Sequence, residues 1–273
     1  MNDALPIPDA PLVDTHFHVY TRDMPITPWA WHHPPEDASA EQFIEVMDKH
    51  GVGFGVIAAA SLYGQYNDYV IRSMRRHPRL RGTAYVRPET DMYTLERMKA
   101  DGMVGIRLFF RRVPDPPDLT SPEYRLLLRR VRDLDWHVHT LVSGEMLPGV
   151  IAAIEDAGVK LVIDHFGKPD ERLGVNCPGF KALLAAVERG RTWVKLSGGF
   201  RQGSREAARS YAQALLRVSG GERLMWGSDW PFAAFEDSVT YAQTIADLHD
   251  WVPDAATRRL IGAETPMRLY FGA

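Results

Sequence analysis

One pattern recurs along nearly the whole chain: a short apolar run rich in β-branched residues, a turn, an amphipathic stretch, then another short run. Eight runs are expected as strands, at Leu12–His18, Val52–Ala60, Leu80–Val86, Val104–Phe109, His137–Val142, Leu161–His165, Trp193–Ser197 and Leu224–Asp229. The stretches between them carry helix punctuation. Ser39 with Gln42 three residues on predicts a capping box, and Gly51 predicts the end of that helix. Ser121 before Pro122 predicts an N-cap followed by proline at the first helical position. Gly158, Gly190 and the pair Gly220-Gly221 predict three further helix ends. Strands nearly continuous in apolar residues and separated by helices belong to a parallel sheet covered on both faces. Eight such units in 273 residues have the size of a closed α/β barrel, the (β/α)8 or TIM barrel, read as a single domain over residues 1–273. The alternative is an open doubly wound sheet. That fold usually declares itself by a glycine-rich turn after its first strand, and His16-Phe17-His18 stands there instead.

Composition narrows the partners. Lys and Arg number 32 against 35 Asp and Glu, so no basic surplus points to nucleic acid or to an anionic membrane. No run approaches the roughly 18 apolar residues of a membrane span. The first residues lack the basic start and apolar stretch of a secretion leader. Cys177 stands alone, which excludes an internal disulfide and suits a reducing compartment. The expectation is a cytoplasmic protein with a small acidic molecule as its partner, no nucleic acid and no membrane, its oligomeric state left open.

In a barrel the chemistry sits where strands end in loops. The first strand closes on His16 and His18, which alternation places on one face about 6.6 Å apart along the backbone. Two imidazoles so placed converge on one metal ion or one substrate oxygen. His165 closes the sixth strand and Asp229 the eighth. A carboxylate ending a buried run needs a partner, and His16, His18, a metal or a polarised water are candidates. Together His16, His18, His165 and Asp229 form a donor set for one divalent ion that activates water. Arg107 interrupts the apolar fourth strand, where a guanidinium needs an anion, and Arg111 and Arg112 follow in the next loop. Arginine grips carboxylates through paired hydrogen bonds, so these residues predict an acidic substrate. Ser61 and Tyr63, after the second strand, are candidate substrate contacts, and the proline-rich segment Pro25–Pro35 is read as a long loop of the rim. His139 is a candidate extra ligand but sits before the rim. His32-His33 reads as a solvated pair, Lys168 as a salt-bridging residue, Cys177 as inert, and Trp226 and Trp230 as packing of the barrel mouth.

The ordered motifs His16-Phe17-His18, Ile163-Asp164-His165-Phe166-Gly167-Lys168-Pro169 and Trp226-Gly227-Ser228-Asp229-Trp230-Pro231 resemble the amidohydrolase superfamily. They are similar in particular to its branch of 2-pyrone-4,6-dicarboxylate lactonases and sugar-lactone hydrolases. The resemblance implies a hydrolase acting on a carboxylic ester bond: Asp229 deprotonates a water that attacks a lactone carbonyl polarised by His16, His18 and His165. It also implies that Arg201, after the seventh strand, binds substrate with Arg107, Arg111 and Arg112. General-base and oxyanion chemistry agree with these residue types. The branch contains members without metal and members with zinc, so one Zn2+ at His16, His18, His165 and Asp229 and no metal at all both stay open. The fourth strand, Gly105-Ile106-Arg107-Leu108-Phe109, has no lysine to carbamylate for a binuclear site. Leu141 stands where the pyrone lactonases show tyrosine, which leaves a sugar-acid lactone or a muconolactone-like compound beside the pyrone. A zinc-dependent decarboxylase of an unsaturated acid and a non-catalytic barrel that binds an acidic metabolite are the alternatives.

Overall fold

A computed structural model describes residues 10–272; the reading of the first nine residues as free of a secretion leader lies outside the described residues. The eight expected strands form one parallel sheet in chain order: β1 Val13–Phe17, β2 Phe54–Ile57, β3 Leu80–Ala84, β4 Met103–Phe109, β5 His137–Leu141, β6 Lys160–Ile163, β7 Thr192–Leu196 and β8 Leu224–Trp226. Most are shorter than the apolar runs that announce them, because His18, Asp164, His165 and Asp229 have left the ladder for the turns above it. The ends of the sheet meet. Asp229 N–H donates to the His16 carbonyl at 2.7 Å and His18 N–H to the Trp230 carbonyl at 2.8 Å. Closure of the barrel therefore runs through the backbone of three candidate site residues.

Helices α1 Ala40–His50, α2 Asp68–Arg76, α3 Met92–Ala100, α4 Pro122–Asp133, α5 Leu147–Asp156, α6 Pro178–Glu188, α7 Arg205–Ser219, α8 Tyr241–Trp251 and α9 Ala255–Arg259 cover the outside. The expected caps are present. Ser39 and Gln42 satisfy each other's backbone N–H groups, Gly51 takes the left-handed conformation that ends α1, and the Ser121 side chain accepts from Tyr124 N–H. None of the described helices is long and apolar enough to cross a membrane.

The apolar core lies between sheet and helices, where Phe17 stacks on Phe43 of α1 at 3.5 Å. Each fully buried large apolar side chain there contributes about 1.5–3 kcal/mol. Trp226 belongs to this layer and not to the barrel mouth: it faces outward against Tyr241, and its indole N–H donates to the Thr244 carbonyl of α8. The reason is strand alternation, which aims successive side chains at opposite faces. Trp230 does stand towards the rim, half-buried against Phe43. Toward the rim the barrel interior is polar: Arg107, His139, Asp164 and Lys195 are all buried, where most barrels place branched aliphatics.

Gly227 lets β8 pass close to β1; a Cβ there would stand 2.5 Å from His16 Cβ and 2.9 Å from His16 N. Gly227→Ala is expected to cost about 2–3 kcal/mol in a urea titration. A neutral substitution would mean that β1 and β8 are not in this contact.

Candidate active site

Beneath the rim, Asp164 is surrounded. Its Oδ2 accepts from Arg107 at 2.8 Å, its Oδ1 stands 2.9 Å from His16 Nδ1 and in hydrogen-bond contact with His139 Nε2, and Lys195 Nζ lies 3.9 Å away. Burial alone would push this carboxyl up, but His139, His16 and Arg107 hold it well below the usual range. Burial also keeps His16 and His139 neutral, both well below the ordinary imidazole value. Lys195 is fully buried. It donates to the Thr15 carbonyl at 2.6 Å, stands 3.2 Å from His139 Nε2, and burial lowers its pKa to about 7. Asp14 clamps β1 to the turn after β8, accepting from His16 N–H, Ser228 N–H and Tyr241 O–H, each at 3.0 Å.

Asp229 stands one layer above. Its φ of 66° is left-handed, a conformation that costs a non-glycine residue about 1–3 kcal/mol and persists only where surroundings impose it. Here the bond from its N–H to the His16 carbonyl imposes it. Its Oδ1 lies 3.7 Å from both His16 Nε2 and His18 Nε2, and its Oδ2 lies 3.9 Å from His165 Nε2. Arg201 Nε donates to Oδ2 at 2.6 Å. Burial would raise the Asp229 carboxyl; Arg201 and then His165 hold it well below the carboxylate range. It is ionised at neutral pH. Burial lowers His165 to about 4, so that imidazole is neutral.

The second nitrogens decide what each ring offers. His18 Nδ1 lies 2.8 Å from the Ala58 carbonyl, so it carries the proton, and the neutral ring presents a lone pair at Nε2. His16 Nδ1 faces the Asp164 carboxylate with the same consequence. His165 Nδ1 faces the Ser197 hydroxyl at 2.8 Å, which is able to donate, so Nε2 of this ring is free to carry the proton toward Asp229.

A cavity of about 350 Å³ opens above this layer, lined by His18, Ser61, Arg107, Arg111, Arg112, His165, Arg201 and Asp229 among others. His16 lies just below it. Tyr63 is not brought there. It ends a single 3-10 turn, Ser61–Tyr63, and turns into a cluster with Tyr20, Met24 and Leu62. The anions expected for Arg107 and Arg201 are the protein's own Asp164 and Asp229. His139 is committed to Asp164 and Thr83, below the layer of the other ligand candidates. His32 is not a solvated residue but pairs with Glu236 at 2.7 Å. Lys168 has no carboxylate within 4.0 Å among the described residues and donates to the Arg201 carbonyl at 2.5 Å. Asp14, Asp164, Ser197 and Lys195 escaped the sequence reading. A lysine inside the apolar run Thr192–Leu196 is the one signal that could have exposed part of this network.

The donor set was tested for a divalent ion. Ligating atoms of His16, His165 and Asp229 lie within 4.8 Å of one another, as do those of His16, His139 and Asp164. Neither ring nitrogen of His16 makes an aligned hydrogen bond although both are buried. Two bare Nε2 atoms at 3.7 Å from a carboxylate are near the roughly 3.4 Å ligand separations around four-coordinate zinc. His16, His18, His165 and Asp229 therefore fit one such ion.

A family model described as Amidohydrolase matches residues 13–272. A protein named 4-sulfomuconolactone hydrolase from Hydrogenophaga intermedia is 27% identical over 268 residues, covering 94% of this chain and 88% of its own length. A 2-pyrone-4,6-dicarboxylate hydrolase from Comamonas testosteroni is 27% identical, with 95% and 90% covered. Among solved structures, a probable 2-pyrone-4,6-dicarboxylic acid hydrolase from Acinetobacter baumannii, crystallised with citric acid, superimposes with a TM-score of 0.91 at 29% identity, over 95% of this chain and 99% of that one.

Lys195 gives a test of this electrostatic layer. Its folded pKa of about 7 lies below the ordinary 10.5, so between these values the unfolded chain binds more protons and stability rises with pH. The expected gain from pH 7 to 9 is on the order of 2 kcal/mol in denaturant titrations. Lys195→Met removes that slope; an equally steep rise in the variant contradicts the assignment.

Proposed function

The chain belongs to the amidohydrolase family, and from that premise we propose that it opens the ring of an acidic lactone by hydrolysis. The observation that carries the reading is Asp229, an ionised carboxylate facing three imidazole Nε2 atoms at 3.7–3.9 Å on the floor of a cation-lined cavity. Relatives named for a sulfomuconolactone and a pyrone dicarboxylate support the substrate class, and Leu141 on the wall leaves the ring itself open.

Water in contact with Asp229 donates one proton to the carboxylate as its oxygen attacks the lactone carbonyl. The bare Nε2 of His18 or His16 accepts the other hydrogen and fixes the direction of attack. His165, neutral and with its proton on Nε2, donates to the carbonyl oxygen as negative charge develops. Collapse of the tetrahedral centre breaks the ring C–O bond, and the proton held by Asp229 passes to the departing oxygen. One carboxylate and one hydroxyl or enol result. A divalent cation held by His16, His18, His165 and Asp229 would supply Lewis acidity and lower the pKa of water at this position.

The test is proton release from a panel of lactones carrying one or two acid groups. Turnover of a member is expected, with Asp229→Asn slower by about 10³-fold. Silence across the panel, or an unaffected variant, would overturn the reading. Ser197→Ala frees the His165 tautomer and is expected to lower kcat by about tenfold with KM little changed; an unchanged kcat would remove His165 from this role.

A further inference from the structure

The cavity wall holds more positive charge than the protein answers. Arg107 and Arg201 are neutralised by Asp164 and Asp229 at 2.8 and 2.6 Å. Arg111, Arg112 and Lys168 line the same cavity, and none has a carboxylate within 4.0 Å among the described residues. The facing wall is apolar, with Tyr20, Trp31, Leu62 and Phe235. Arg112 already lies over the Trp31 ring at 4.5 Å, so its guanidinium face is in use.

Lys168 is placed there by an unusual turn. His165, Phe166, Gly167 and Lys168 take φ values of 49°, 58°, 79° and 46°, four successive left-handed residues of which three are not glycine. Such a run is strained. Its outcome is that His165 and Lys168 both line the cavity while Phe166 packs into the core against Trp251. The bond from Nζ to the Arg201 carbonyl at 2.5 Å fixes the ammonium and leaves two N–H donors unspent. Two unspent donors on a half-buried cation, at a wall with no protein anion, call for an anion from the ligand.

We infer that Lys168 is a specificity-determining residue: it holds a second acid group of the substrate, carried on the ring away from the scissile carbonyl, and so selects lactones with two acid groups over those with one. The inference rests on the lactone-hydrolase reading for the word substrate, but the anion site is measurable without turnover. The experiment uses two planar ligands that cannot be hydrolysed, benzene-1,3-dicarboxylate and benzoate, titrated calorimetrically into the full-length wild type and Lys168→Met. The wild type is expected to bind the dicarboxylate at least tenfold tighter than benzoate. Lys168→Met is expected to bring the two within threefold by weakening the dicarboxylate alone, and Lys168→Arg to restore most of the preference. An undiminished preference in Lys168→Met, or equal weakening of both ligands, overturns the proposal; the latter would leave Lys168 only a brace for Arg201. If Lys168→Met does not fold, Lys168→Gln, which keeps a donor for the Arg201 carbonyl, carries the same comparison. A preference present in binding while no lactone is turned over would sink the hydrolase reading and leave the anion site standing.

Discussion

The structure turns on a buried carboxylate. Asp164 sits inside the barrel, and an ion there is tolerable only when charge and hydrogen bonds surround it. Arg107 from β4, His139 from β5, His16 from β1 and Lys195 from β7 supply that surround. Four strands thus converge on one side chain, and each contact also fixes the rotamer of a residue the site needs. Removing any one partner would leave a charge buried without its counterpart, which is costlier than losing a hydrogen bond at the surface. Polar filling makes the upper barrel rigid at the place where its chemistry sits.

Division of labour follows from which nitrogen of each ring is already engaged. Ala58 and Asp164 hold the Nδ1 atoms of His18 and His16, so the neutral rings face Asp229 with lone pairs. His165, against the Ser197 hydroxyl, is the ring able to donate. An arrangement of two acceptors, one donor and one carboxylate orients a water from one side and a carbonyl from the other. The same two lone pairs and carboxylate suit a divalent ion, because a cation and a water's hydrogens seek the same atoms. Arg201, bonded to Asp229 at 2.6 Å, keeps that carboxylate charged.

The barrel was legible because apolar period and helix punctuation agree from one end of the chain to the other. His16, His18, His165 and Asp229 were legible because each ends a buried run with a group that such a run does not tolerate without cause. The function of Asp164 was hidden by its neighbour: in sequence it adjoins His165, and only the left-handed turn sends one below the rim and the other onto the cavity wall. Arg107 and Arg201 were identified as anion-binding, but their partners lie 57 and 28 residues away. A pairing across the barrel leaves no local trace. Tyr63 failed for the opposite reason, since a one-turn 3-10 segment rotates neighbouring side chains too quickly for spacing to say which one faces the cavity. Lys195 would be read as a surface residue in an ordinary strand; only the polar lumen makes its inward position sensible.

The central claim is that this network keeps Asp229 ionised while His165 stays neutral with its proton on Nε2. Nitrogen-15 NMR of histidine-labelled protein between pH 5 and 8 reads the protonation of each ring directly. The account predicts a neutral Nε2–H tautomer for His165 throughout that range and an Nδ1–H tautomer for His16. A His165 ring that is cationic at pH 7, or that carries its proton on Nδ1, would contradict it.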